Sequence, residues 1–186
     1  MFSDTRGKAE VYTRYPLSNT LIYNGTTILH YLFGTAGIIM GYNFSSAAYT
    51  FSILYLLFSL VQMYVLMPLM VCPNCVYYRT DNSLCVSGLN IFSKRIAKQG
   101  EINKFSNRAK GLFCHNNLYM AALFIPVIAM IPAVILNFSF TLLIILLVVL
   151  GLLLFRFFVI FPKTACIHCM AKKQCPNAQV MGLSSR

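Results

Sequence analysis

Apolar residues in this chain gather into four long runs with almost no charge, at about 20–42, 46–71, 117–136 and 140–161. Each run meets the roughly 20 apolar residues that a helix needs to cross a ~30 Å hydrocarbon core. Backbone polar groups cannot be left unpaired in lipid, so each run is expected to be a helix. The pattern predicts an all-α integral membrane protein with four transmembrane helices. Residues 1–19 are polar and mixed in charge, without the short apolar run of a cleaved signal peptide.

The four runs read as two copies of one unit. Asn43-Phe44-Ser45 recurs as Asn137-Phe138-Ser139, Pro68 as Pro162, Gln62 as Arg156, and Cys72-x-x-Cys75 as Cys166-x-x-Cys169, always 94 residues apart. A tandem duplication of a two-helix hairpin accounts for this. The expected organisation is a cytoplasmic tail (1–19), repeat one (20–87), an amphipathic connector (88–113) and repeat two (114–186). Two spans per copy give both copies one orientation, hence a pseudo-two-fold axis along the membrane normal. The first helix holds Gly25, Gly34, Gly37 and Gly41, a frequency typical of closely packed membrane helices. Pro68 and Pro162 are expected to stop the second and fourth helices, four residues before each cysteine cluster.

Charge supplies the orientation. The chain is 58% hydrophobic and carries 15 Lys+Arg against 4 Asp+Glu, a net +11. The basic residues lie in the N-terminal tail, in the 76–113 loop, and at the end of the fourth run with the C-terminal tail, whereas the turns near 43–45 and 137–139 have none. The positive-inside rule then places both termini and the central loop in the cytoplasm, in a cell inner membrane. This distribution belongs to a bilayer partner and not to nucleic acid. Arg156 is expected to snorkel to the headgroups. In the connector, Ser87 would cap a helix over 88–99 that Gly100 ends. Leu89, Phe92 and Ile96 share one face, suited either to an anionic membrane surface or to the bundle's cytoplasmic mouth.

Seven cysteines, Cys72, Cys75, Cys85, Cys114, Cys166, Cys169 and Cys175, all fall outside the spans. A reducing cytosol disfavours disulfides, and scattered core thiols would not gather at one membrane face, so metal or cluster binding leads. Each copy offers three thiols. Cys114 would complete a set with Cys72, Cys75 and Cys85; His115 or His168 would complete Cys166, Cys169 and Cys175. Such sets suit two iron–sulfur clusters of the four-iron type, or zinc. Cys72-Pro73 and Cys175-Pro176 resemble the Cys-Pro that ends ferredoxin cluster motifs, and a site above helices rich in Tyr and Phe suits electron exchange with a lipid-soluble carrier.

The expected role is therefore an electron-transfer subunit between a partner protein, or larger complex, and the membrane, with zinc-stapled scaffolding as an alternative. A four-helix bundle with C-x-x-C also resembles membrane thiol oxidases that pass electrons to quinone. That likeness covers topology and one short motif, and it implies reversible Cys72–Cys75 or Cys166–Cys169 disulfides. Those enzymes act on the oxidising side, opposite to the side expected here. His30, near the middle of the first run, is a candidate to bind quinone, to pass a proton or to bridge helices. Asn24, Asn43 and Asn137 head glycosylation sequons, but Asn24 falls within a span and the other two lie in short turns, where their expected job is turn-making, with Ser45 or Ser139 near a helix start. Tyr12, Tyr15, Tyr77 and Tyr78 fit an interfacial belt. With four acidic residues and none in a span, a carboxylate-driven pump is excluded.

Overall fold

A computed structural model describes residues 9–183. Arg6, Lys8 and Arg186 of the expected cytoplasmic charge lie outside the described residues. The chain is all-α apart from two isolated backbone bridges. Three helical stretches are long and apolar enough to cross a membrane: Ser46–Asn74, His115–Leu136 and Phe140–Ala165, with mean hydropathies of 2.0, 2.4 and 3.1. By length and hydropathy this is a multi-pass membrane protein.

The expected first span corresponds to α1 (Leu17–Gly41), which at 25 residues is long enough but less apolar. It carries Asn24, Thr26, Thr27 and Thr35, and each bonds back to the carbonyl four residues earlier at 2.7–2.9 Å. Polar side chains that satisfy themselves on their own helix are tolerated inside a bundle. Neighbours then do the rest, because α1 contacts α2 (Ser46–Val61), the later α5 (His115–Leu136) and α6 (Phe140–Phe155).

Gly34, Gly37 and Gly41 make those contacts close. A Cβ at Gly34 would lie 2.7 Å from Pro126 Cβ, and one at Gly41 would lie 2.7 Å from Ala133 Cβ. Pro126 also explains two interhelical bonds. Its missing N–H frees the Ala122 carbonyl, and its ring disturbs the turn before it. Tyr55 donates to Ala122 O at 3.1 Å, and His30 Nε2 donates to Leu123 O at 2.9 Å. His30 thus ties α1 to α5, the bridging role among its candidates. Polar bonds of this kind contribute about 1 kcal/mol each in membrane bundles.

Neither repeated proline stops its helix. α2 continues as a π-helix through Gln62–Val71, with Pro68 inside it, and α6 continues likewise through Arg156–Ala165, with Pro162 inside it. A wider turn relieves the clash between a proline ring and the carbonyl before it, so the helix survives. The bounds of α2 and α6, and of both π segments, differ by the same 94 residues. Each π segment ends on the first cysteine of a cluster: Cys72 N–H bonds Met67 O, and Cys166 N–H bonds Phe161 O at 2.8 Å.

Short helices α3 (Val76–Arg79), α4 (Leu89–Ile96) and α7 (Pro176–Val180) build a cap at the end where those π segments finish. The expected connector helix is shorter than 88–99. Gly88, at φ 74°, precedes it in place of a Ser87 side-chain cap, and Ala97 is already extended. Its inward face is Leu89, Asn90 and Ser93, whereas Ile91, Phe92 and Ile96 are exposed. Side-chain bonding decides this, since Ser93 donates to Pro68 O at 2.6 Å and Asn90 donates to Ser83 O at 3.0 Å. The cap has its own small core of Val71, Phe105, Ala171, Cys175, Ala178 and Leu183.

Residues 9–16 are not a loose tail. They cross the cap as a strap between the 84 and 168 segments: Tyr12 N–H bonds His168 O at 2.9 Å, while Leu84 N–H bonds Thr13 O at 3.1 Å and Tyr15 N–H bonds Leu84 O at 2.9 Å. The two short turns differ. Asn43 and Phe44 take positive φ, and Ser45 Oγ caps α2 through Ala48 N–H at 3.2 Å. Asn137 instead donates to Gly41 O at 3.2 Å and joins the two turns.

Candidate metal centre

Both C-x-x-C segments form the same tight turn. Cys75 N–H bonds Cys72 O at 3.0 Å, and Cys169 N–H bonds Cys166 O at 3.3 Å. Since the two π segments deliver these turns to one end of the bundle, the turns face each other. Between them lies a cavity of about 130 Å³ lined by Cys72, Cys75, Cys85, Cys166, Cys169 and Cys175, with His115 also on its wall. That volume is close to one that admits a benzene-sized guest. Tyr23, Tyr119 and Phe161 line its bundle side, and Tyr77 and Phe105 its cap side.

The grouping differs from the expected division into one set per copy. Cys75 and Cys169, from the two C-x-x-C segments, are electrostatic neighbours. Burial pushes the Cys169 thiol well above its ordinary range, with Cys75 the next contribution, followed by Cys175 and Cys166. A buried thiol among other thiols resists ionising, because each thiolate would repel the next. Cations that bind thiolates must therefore displace protons here. No disulfide forms among the seven cysteines. Among the described residues, no three of His, Cys, Asp or Glu stand close enough together to grip one metal ion.

The remaining predicted ligands stand elsewhere. Cys114 is the N-cap of α5, its Sγ accepting from Asn117 N–H at 3.4 Å, and it does not line the cavity. His168 turns outwards. Its Nδ1 lies 2.7 Å from Glu10 O, and its ring stacks on Tyr12 at 4.4 Å. His115 lies 3.3 Å from the Gln62 amide through Nδ1. His30 is buried between α1 and α5 and is not part of the cavity wall.

No family model, curated protein or solved structure matches this chain.

Three participants were not legible from sequence. Tyr15 and Tyr77, assigned above to an interfacial belt, are 2% and 1% exposed. Tyr77 O–H donates to Tyr12 O at 2.6 Å and accepts from Met170 N–H at 3.2 Å, and Tyr15 O–H donates to Ala165 O. Together they tie the strap and both C-x-x-C segments around the thiols. Their spacing in sequence carries no mark of this. The third is Arg156, which does not snorkel. It is 1% exposed, and its guanidinium lies 5.0 Å from the Tyr23 ring, 5.7 Å from Tyr119 and 5.9 Å from Phe161. Its place 94 residues after Gln62 is the one signal the sequence carries.

Proposed function

We propose that this protein is a membrane electron carrier whose cap cavity holds an iron–sulfur centre, bound by thiolates from both copies. One observation carries the reading: the two C-x-x-C pairs, 94 residues apart in sequence, line a single cavity. Cys72, Cys75, Cys166 and Cys169 are the natural four ligands, with Cys85 and Cys175 beside them. The donor chemistry fits, since four thiolates hold clusters of this class. The centre, when bound, supplies a one-electron couple. The chain's own residues hold it, exclude water through Tyr23, Tyr77, Tyr119 and Phe161, and set its charge environment.

In this reading α1 is a fourth span and the molecule is a duplicated hairpin. The equal offsets of α2, α6 and their π segments support that duplication. The cap then faces the cytoplasm of an inner membrane, where Lys94, Arg95, Lys98 and Lys173 favour an acidic partner protein as the other party to electron exchange.

Anaerobically purified protein tests the reading by absorption and by iron and zinc analysis. A broad band near roughly 400 nm that bleaches on reduction, with several irons per chain, is the expected result. Featureless absorbance with bound zinc would replace it with a scaffold. Metal-free protein with titratable Cys72–Cys75 or Cys166–Cys169 disulfides would replace it with thiol exchange.

A further inference from the structure

Arg156 is the most expensive residue in the bundle. It is the first residue of the π extension of α6, almost without exposure, between helices that carry no acidic residue. It donates to Tyr23 O at 3.0 Å, to Thr26 Oγ1 at 3.4 Å, and to Tyr119 O–H and Thr27 Oγ1. All four partners are neutral. Among the described residues the one ion pair between side chains is Lys104–Glu101, on the surface of the cap. Hydrogen bonds and three aromatic faces offset part of the cost of burying a cation, but they supply no opposite charge. A guanidinium keeps its proton under all ordinary conditions, so it cannot escape by neutralising.

The three rings around Arg156 are the same rings that line the cavity on its bundle side. Its charge therefore lies directly behind that wall, separated from the thiols by one layer of aromatic side chains. The position is also placed by the duplication. Gln62, its counterpart, is likewise fully buried at the start of a π segment, and its amide reaches His115 on the same cavity wall. Two equivalent positions thus address the cavity from behind, and one of them carries a full positive charge.

We infer that Arg156 is the fixed counter-charge for an anionic group in the cavity and sets how readily that group accepts an electron. The inference rests on the iron–sulfur reading above. Four thiolates around a cluster leave a net negative charge, and adding an electron makes it more negative. A buried cation nearby stabilises the reduced form more than the oxidised one, because the low dielectric screens the interaction weakly. Arg156 acts here as a positioning charge. It needs no bond to the cluster and does not itself change oxidation state.

The experiment is a redox titration of purified protein in micelles, with dithionite as the electron donor, for wild type, R156K, R156Q and the swap Q62R/R156Q. Removing the charge in R156Q is expected to disfavour reduction at least tenfold, about 59 mV for a one-electron couple, at unchanged iron content. R156K should stay within about threefold of wild type. R156Q that holds full iron with an unmoved midpoint would overturn the inference while leaving the iron–sulfur reading intact. Should R156Q fail to hold iron, the swap decides: recovery of iron and of the midpoint supports a counter-charge, and no recovery overturns it. Wild-type protein without a reducible iron centre takes both readings down together.

Discussion

Cys169→Ser protein should lose the iron centre proposed for the cavity, and Cys114→Ser protein should keep it. Cys169 lies on the cavity wall against Cys75, Cys166 and Cys175, so its sulfur faces the space where a cluster would be held. Replacing one thiolate by a hydroxyl removes a soft, charged donor and leaves a harder, neutral one. Outer-shell changes alone cost 10–100-fold in metal affinity, so a ligand change is expected to cost roughly 100-fold or more. Cys114 belongs to α5 as its cap, and serine caps a helix at least as well as cysteine. Iron per chain and the visible band measure both variants. Loss of iron in Cys114→Ser, with retention in Cys169→Ser, would show that the four-ligand set is drawn from residues outside the cavity.

Leucine at position 34 should cause the largest loss of stability of any single change in the bundle. A Cβ there meets Pro126 Cβ at 2.7 Å, Pro126 Cγ at 3.0 Å and the Tyr55 hydroxyl at 3.2 Å. A proline ring inside a helix has nowhere to go, so α1 and α5 must separate. Separation strains His30–Leu123 and Tyr55–Ala122, the two bonds that satisfy carbonyls around the proline. Overpacking alone costs about 1–3 kcal/mol, and the two bonds add about 1 kcal/mol each, for an expected loss of about 3–5 kcal/mol. Gly37 offers the internal control. Its nearest neighbour is the flexible end of Met130, which can swing aside. Gly37→Ala should therefore cost clearly less than Gly34→Ala in denaturant titrations in micelles. Equal costs would mean that the helices repack freely at Pro126.

How much of this could be read from residues alone depended on what each feature is made of. Three spans are continuous apolar runs, and lipid leaves such runs one solution. α1 was harder, because its threonines and asparagines lower its hydropathy while bonding their own backbone. The C-x-x-C turns were legible as donors, since two thiols on one turn carry a chemical meaning at short range. Their meeting across 94 residues is a tertiary fact that no local pattern records. The prolines misled in one respect: a helix break was expected where the backbone widened its turn and continued. Arg156 misled more. Near the end of an apolar run an arginine usually reaches for water, and only the neighbouring Tyr23, Thr27 and Tyr119, on other helices, give it a reason to stay inside. α4 turned its apolar face outwards for a related reason, as Asn90 and Ser93 found backbone partners that Phe92 and Ile96 could not use.

The strap has a consequence for the order of manufacture. Residues 9–16 leave the ribosome long before residues 166–169, yet Tyr12 bonds the backbone of His168 and its ring stacks on the same residue. The cap cannot close until the second cluster has been made and its helices inserted. Until then Cys72, Cys75 and Cys85 lack the Cys166–Cys175 side of the cavity they line. Docking of residues 9–16 against His168 therefore has to wait for the C-terminal end of the chain, although those residues are made first.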